Sequence, residues 1–284
     1  MTVVRKKKEE DFDKAVASLD AEEARGLDSK KPLTNEEGVV RDVPLIAGYV
    51  DKDGVRHSTF SYREMNGRDE EAVNKADVRV NPAKVANVIA ERCVISIGSL
   101  NKRDYTPQEW GKIIKSMWGN DIDYMVFKIR ELSKGTEVTF RHKCPECGSV
   151  MTTVIDTSEF NIIPFSGETE IPFTLERGYK DLNGELHYDG MIRPATGEDR
   201  EAIIPAIRRN PSTASTMLMT RCMKFNDGTQ VIQNRVADMV LRDRKIIEDL
   251  LSELKFGVDT EIHDLECPNC GASVSGTLGE SDFF

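Results

Sequence analysis

The sequence predicts an α+β fold built from two tandem repeats of one unit. A hairpin-like segment recurs at a constant spacing, similar helical patterns follow it each time, and each unit closes on a Cys-Pro-x-Cys-Gly motif. GYVDKDGVRH (48–57) aligns with GYKDLNGELH (178–187) at an offset of 130 residues. Matches continue in order to CPECG (144–148) and CPNCG (267–271), so a repeat explains them better than chance similarity.

The matches define the predicted organisation of the chain. Residues 1–41 form an N-terminal arm, residues 42–160 the first repeat, residues 161–169 a linker and residues 170–284 the second repeat. The arm alternates Lys, Glu and Asp with few large apolar residues, so it buries too little surface to offset its ordering entropy. We expect an extended arm that orders only against partners.

Each repeat opens with two extended segments around a turn. The turns fall at residues 51–54 and 181–184, which contain Asp-Gly and Asn-Gly pairs that tolerate the positive φ of tight hairpins. A helix then begins at Asn66 or Thr196, because these side chains accept hydrogen bonds from the N–H groups of a first helical turn. The sequence therefore predicts a hairpin followed by a capped helix in each repeat.

Helical signals fill the middle of each repeat. Pro82 and Pro211 mark the first turn of one helix, and Thr106-Pro107 marks a further helix in the first repeat. The longest helix begins at Asp121 and has an apolar face with core-facing spacing. This face consists of Ile122, Met125, Val126, Ile129 and Leu132, and its counterpart in the second repeat of Ile246, Ile247, Leu250, Leu251 and Leu254.

A strand pair with the cysteine motif at its tip closes each repeat. Gly135 and Gly257 are predicted to end the long helices as C-caps. In the first repeat, strands are then predicted at residues 137–141 and 150–156, on either side of CPECG. Each repeat therefore contains a β-hairpin, several helices and, at its C-terminal end, a second β-hairpin with the Cys-Pro-x-Cys-Gly motif at its tip. We call this second hairpin the knuckle hairpin.

Composition and charge exclude several classes of function. The net charge of −10 disfavours a dedicated surface for nucleic acid or anionic membrane, which requires an excess of Lys and Arg. No apolar run approaches the roughly 20 residues of a membrane helix, and the charged N-terminus lacks a secretory signal. The sequence also lacks P-loop, GxGxxG, HExxH and GxSxG motifs, so we expect no enzyme.

The two cysteine motifs predict one shared metal site. Two Cys separated by two residues place both sulfurs on one side of a tight turn, and structural zinc takes four ligands in a tetrahedron. The predicted ligands are Cys144, Cys147, Cys267 and Cys270. Because structural zinc contributes on the order of 10 kcal/mol to folding, such a site would lock the repeats together about a pseudo-twofold axis. With four thiolates the ion has no open position for water, so the site is structural.

Other interpretations of the motifs stay open at this point. Each knuckle could recruit the neighbouring His142 or His263, pair with a second chain, or pack as a hairpin tip without metal. Iron also fits four thiolates, although no nearby feature suggests electron transfer.

Four further chemistry-bearing residues favour structural roles. Cys93 and Cys222 occupy equivalent places on apolar elements, so we expect buried core thiols. His57 and His187 occupy equivalent strand positions and are interpreted as structural.

The ordered set of motifs resembles a known group of proteins. DGVRH (53–57), REMNGRDEEA (63–72), DIDYMVFKIRELSKG (121–135) and CPECG occur in this order. Together they resemble the T4-like baseplate hub and tail-assembly proteins of tailed phages, including the zinc-knuckle hub-assembly family. The resemblance covers most of each repeat and is weaker in the second, where the helix is DRKIIEDLLSELKFG (243–257). The tandem duplicate departs from the single-copy pattern of that family.

The resemblance implies a non-catalytic structural or assembly protein of the phage tail baseplate, in its central hub region. It implies other baseplate, hub and tail-tube proteins as partners, with a location in the virion tail and, during assembly, in the host cytoplasm. A trimer of a two-repeat chain would present six similar domains to sixfold and threefold neighbours, so we expect a symmetric ring. The alternatives are a zinc-ribbon nucleic-acid-binding protein and a redox or metal-delivery enzyme.

Overall fold

A four-stranded antiparallel sheet and five helices make up the first half of the described chain in the computed structural model, which describes residues 38–278. The elements are β1 (Val39–Val50), β2 (Arg56–Arg63), α1 (Gly67–Val73), α2 (Ala76–Arg79), α3 (Pro82–Cys93), β3 (Val94–Ile97), β4 (Leu100–Asn101), α4 (Pro107–Ser116) and α5 (Gly119–Lys134). The strand order is β1-β2-β3-β4. Residues 1–37 of the predicted arm lie outside the described residues.

The second half has a similar order of elements. A hairpin of β5 (Glu137–Lys143) and β6 (Val150–Asp156) precedes it, and β7 (Ile162–Ile163) leads into it. The second half contains β8 (Ile171–Lys180), β9 (Leu186–Ile192), α6 (Gly197–Ile207), α7 (Pro211–Cys222), β10 (Met223–Phe225), α8 (Gln233–Ala237), α9 (Leu241–Glu253), β11 (Gly257–Val258), β12 (Glu261–Glu266) and β13 (Ser273–Thr277). Its sheet has the order β10-β9-β8, β11 pairs with β7, and β12 pairs with β13. The predicted α+β class is confirmed.

Each half has its own hydrophobic core, between its sheet and its helices. The first core includes Phe60, Ile89, Trp110, Ile114, Met125 and Ile129, and the second includes Tyr179, Ile192, Met219, Val236 and Ile247. The predicted apolar face of α5 is buried from Ile122 to Ile129, and Leu132 packs at its edge. Each such side chain contributes about 1.5–3 kcal/mol when fully buried, so the long helix is fixed to the core by this face.

Predicted caps define where the helices begin. Asn66 and Thr196 cap α1 and α6, and each helix also has an Asp at its third position that accepts from the backbone N–H of the capping residue. In α1 that residue is Asp69, whose carboxylate accepts hydrogen bonds from Arg63 and Arg92. Burial alone would raise the pKa of Asp69, but these hydrogen bonds outweigh it and lower that pKa to about 2. The cap therefore also joins α1 to β2 and to the end of α3.

A buried aspartate at the start of each long helix holds the first strand of its half. Asp121 accepts hydrogen bonds from the backbone N–H groups of Ile46, Ala47 and Gly48 at 2.8–3.2 Å. Asp243 accepts in the same way from residues 176–178. In both strands these donors lie where the pairing register shifts, and the glycine that ends each set has positive φ. Because the bulge turns three N–H groups away from the neighbouring strand, the carboxylate satisfies donors that the sheet cannot.

Burial works against the charge of this aspartate. It raises the pKa of Asp121 to about 6, although the three N–H donors favour the ionised form. The carboxylate therefore depends on its hydrogen bonds to remain in the interior.

One predicted helix end is wrong. Gly135 caps α5 with a φ of 83°, as predicted, but α9 already ends at Glu253, with Leu254 at its C-cap. Leu254 turns into the second core, and Gly257 instead begins β11, opposite Ile163. The strand pairing with β7 comes from a distant part of the chain, so the local sequence did not indicate it.

The two halves contact each other through the beginnings of two helices. Gly119 donates its N–H to the Ala195 carbonyl at 2.8 Å, and Gly197 donates its N–H to the Met117 carbonyl at 3.0 Å. Next to these two hydrogen bonds, Arg200 forms an ion pair with Asp123 at 2.6 Å. The start of α6 thus lies against α3 and the start of α5.

Replacing Asp121 with alanine removes the acceptor of three backbone donors. Because an unsatisfied buried donor costs about 1–3 kcal/mol, we expect the free energy of unfolding to fall by about 3 kcal/mol or more. Urea denaturation followed by circular dichroism measures the change. The matched control, Asp249→Ala on the exposed surface of α9, should leave the urea midpoint unchanged. An Asp121→Ala chain as stable as the wild type would show that the bulge does not need the carboxylate.

Candidate metal centre

Two similar turns carry the four predicted ligands. In the first, Cys144 donates its N–H to the Ser149 carbonyl at 2.8 Å, and Gly148 donates to the Cys144 carbonyl at 3.0 Å. In the second, Cys267 donates to Ala272 at 2.9 Å and Gly271 donates to Cys267 at 2.8 Å. Both glycines have φ near +70°, which a residue with a Cβ rarely adopts. The turns therefore hold the two sulfurs of each motif on one side of a hairpin tip.

The hairpins that carry the turns pack against each other. Val138 and Phe140 on β5 form a small buried cluster with Ile262 on β12 and Leu278. Gly276 on β13 permits this approach, because a Cβ there would lie 3.0 Å from the Phe140 ring. This apolar contact holds the two hairpins side by side, with their tips adjacent.

The four thiols converge at the tips. Cys144 Sγ lies 3.8 Å from Cys270 Sγ, and Cys147 Sγ lies 3.8 Å from Cys267 Sγ. All four sulfurs lie within 4.8 Å of one another. Zn–S bonds of about 2.3 Å at tetrahedral angles separate sulfurs by about 3.8 Å, so the donor set fits a tetrahedral ion.

The pairing of the sulfurs is symmetric. It is unchanged when the two hairpins are exchanged, as expected for a pseudo-twofold axis through the metal position. The bodies of the two halves do not follow that axis, because the start of α6 is buried between them while the start of α1 is exposed.

The two faces of the four-thiol cluster differ in their exposure to solvent. Cys144 and Cys267 are buried above Met151 and Val274, whereas Cys147 and Cys270 are exposed. The inner thiols are therefore shielded from solvent, and an ion can enter from the outer side.

The pKa values of the two exposed thiols shift in opposite directions. The Ser149 hydroxyl lies 3.3 Å from Cys147 Sγ and lowers the pKa of that thiol to about 5. For Cys270, the N–H of Ala272 favours the thiolate, but the adjacent thiols outweigh it and raise the pKa to about 12. At this spacing one thiolate opposes the ionisation of the next, and a divalent cation relieves the repulsion among four thiolates.

The remaining candidates lie elsewhere. The His142 ring stacks on Phe140 with centroids 4.7 Å apart and is not part of the four-thiol group, while the side chain of His263 is outside the described set. Cys93 and Cys222 belong to the two hydrophobic cores, where burial raises their pKa values to about 11 and 12. Such thiols are not reactive at neutral pH.

The two histidines on the first hairpins have carboxylate partners. His57 Nε2 lies 3.0 Å from Asp51, and His187 Nδ1 lies 2.6 Å from Asp227, which raises the pKa of His187. Asp181, Glu185 and His187 also form a group of potential ligands that the sequence did not single out. Asp181 already accepts the N–H groups of its own turn, so this group serves the hairpin.

A family match places the chain among known proteins. The model for the family described as T4 bacteriophage base plate protein matches residues 55–284. The chain belongs to this base plate family. The resemblance to T4-like baseplate proteins is thereby confirmed, and the match, from residue 55 onward, includes both cysteine motifs. No curated protein and no solved structure matches the chain.

Membership of the base plate family supports a role for the chain as a component of a phage tail. In the described part of this base plate protein, none of the helices has the length and apolar character required to cross a membrane.

Metal content tests the four-thiol centre. Because the donors fit one tetrahedral ion, we expect one zinc per full-length chain by inductively coupled plasma mass spectrometry. Cys144→Ser and Cys267→Ser should each remove nearly all of it and lower the melting temperature, since each takes one ligand from the same ion. The control Cys222→Ala should retain one ion per chain. Two ions per chain, or half the metal in either serine variant, would indicate separate sites.

Proposed function

We propose that the chain is a non-catalytic structural component of the central hub region of the base plate, with one structural zinc ion that joins its two halves. The observation that carries the proposal is the convergence of four thiols, contributed in pairs by hairpins about 120 residues apart. An ion held there closes a long loop of chain, and its binding free energy adds to folding.

The proposal treats the two halves as a tandem duplicate, with the boundaries at residues 42–160 and 170–284. Support comes from interactions that recur at matched positions. Asp121 and Asp243 accept backbone hydrogen bonds from equivalent strands. Arg63 and Arg193 each donate a hydrogen bond to the aspartate of the helix cap that follows. The two aspartate–strand contacts link residues 73 and 65 positions apart in sequence, so similarity of local propensity does not produce them.

The chemistry of the centre supports a structural role. Four thiolates fill the coordination shell of zinc, so no position is left for water or substrate. The alternative of nucleic-acid binding has no comparable support, because the chain carries a net charge of −10. We therefore assign the metal to architecture and the protein to the virion tail.

The partners follow from this assignment. The chain would contact other base plate, hub and tail-tube proteins, within a symmetric ring around the tail axis, and would be present in the host cytoplasm during assembly. The family match supports partners within the base plate.

Mass spectrometry of purified tails tests the proposal. We expect the chain to be present in isolated base plates of the virus that encodes it. Virus with Cys144→Ser should yield fewer complete base plates, because the two halves are no longer locked, whereas Cys222→Ala should assemble normally. Absence of the chain from base plates, or normal assembly with Cys144→Ser, would contradict the proposal.

A further inference from the structure

The contact between the two halves joins surfaces that are not equivalent. The start of α6, in the second half, supplies one side, and α3 with the start of α5, in the first half, supplies the other. Such a contact is heterologous, because each half contributes a different surface. Each half therefore also has its own version of the surface that the other half contributes, and that version stays unoccupied within the described chain. We call these two the retained surfaces. The retained surfaces are the start of α1 and the groove beside α7 and α9.

Gly67 marks the first retained surface. It corresponds to Gly197, at the offset of 130 residues between the repeats. Gly197 is buried, and a Cβ on it would lie 2.5 Å from atoms of Asn87 and Ile122. Gly67 is exposed, and in the described chain nothing lies within 4 Å of a Cβ built on it. At this first helical position, no contact within the described part of the single chain requires the absence of a side chain. A partner that approached α1 as α3 and α5 approach α6 would explain it.

Leu241 marks the second retained surface. Leu241 is the first residue of α9, as the buried Gly119 is the first residue of α5, each two residues before the buried aspartate. Its side chain is 81% exposed, the largest value among the large hydrophobic residues of the described chain. It lies at the rim of a cavity of 590 Å³ that is also lined by Thr216, Met239 and Arg244. Thr216 is the sixth residue of α7, as Asn87 is of α3. Met239 precedes α9 by two residues and Arg244 is its fourth residue, as Met117 and Ile122 are for α5. Asn87, Met117 and Ile122 contact the start of α6 in the first half. The cavity is therefore the counterpart of the occupied groove.

The charges beside the two retained surfaces are complementary. In the internal contact, Arg200 pairs with Asp123 at 2.6 Å. The corresponding residues are Glu70 and Lys245, both exposed. Both signs are reversed, so the attraction between the two sides is kept.

We propose that a second copy of this chain docks the start of its α1, formed by Met65–Gly67 and Glu70, into the groove beside α9 of its neighbour. The groove is formed by Thr216, Met239, Leu241, Arg244 and Lys245. The interface repeats between chains the contact that exists within one chain, and a heterologous contact of this kind generates either a closed ring or an open fibre. The inference rests on the internal packing, and it is independent of the metal and of the hub position.

Sedimentation velocity of the zinc-loaded full-length chain measures the association. We expect the mean mass to rise with concentration. Glu70→Lys and Lys245→Glu should each weaken association about tenfold, because each places like charges across the interface. Gly67→Trp should abolish association with an unchanged melting temperature, since its side chain extends into open space within the single chain.

An equimolar mixture of Glu70→Lys and Lys245→Glu decides the geometry. In the mixture the α1 of each variant faces the opposite charge in the groove of the other variant, so pairs of unlike chains should form about as tightly as wild-type pairs. The control Lys52→Glu, in the exposed turn between β1 and β2, should associate like the wild type. A wild-type chain that stays monomeric at every concentration, a mixture that remains weakened, or a different partner in the groove would overturn the proposal. A loss of metal with unchanged association would affect the proposed zinc centre alone.

Discussion

The fold depends on the hydrogen bonds between a buried carboxylate and three consecutive N–H groups of a bulged strand. Asp121 forms them in the first half and Asp243 in the second. These hydrogen bonds fix the start of the long helix against the sheet, and the knuckle hairpin follows the end of that helix. In the first half the path is short, because Gly135 turns the chain directly from α5 toward β5. The position of Cys144 relative to the sheet therefore depends on a contact at the opposite end of α5.

Local chemistry made much of this structure predictable. The caps at Asn66, Thr106 and Thr196 and the apolar face of α5 depend on residues within one or two helical turns. The turns of the knuckles follow from the motifs themselves, and the convergence of four thiols follows from the coordination number of zinc. These features need no knowledge of distant packing.

Long-range contacts account for what the sequence did not reveal. Asp121 was predicted only as the first residue of a helix, because its acceptor role depends on a strand about 75 residues earlier in the chain. Gly257 was predicted as a cap because its partner, β7, lies in the segment interpreted as a linker. The relation between the halves is a further case. The four-cysteine site predicted a pseudo-twofold axis, whereas the bodies of the halves meet through non-equivalent surfaces, the start of α6 against α3 and the start of α5. Periodicity describes one element at a time and contains none of these pairings.

The coexistence of two relations between the halves has a mechanical consequence. The hairpins meet about a pseudo-twofold axis, which closes on itself, while the bodies meet through a heterologous contact, which does not. Within one chain the heterologous contact forms at the high effective concentration that the linker and the four-thiol centre impose. Between chains the proposed contact would have no such help, and like net charges of −10 would oppose it. The contact should therefore be weaker between chains than within one chain, so association of the isolated protein should depend on its concentration.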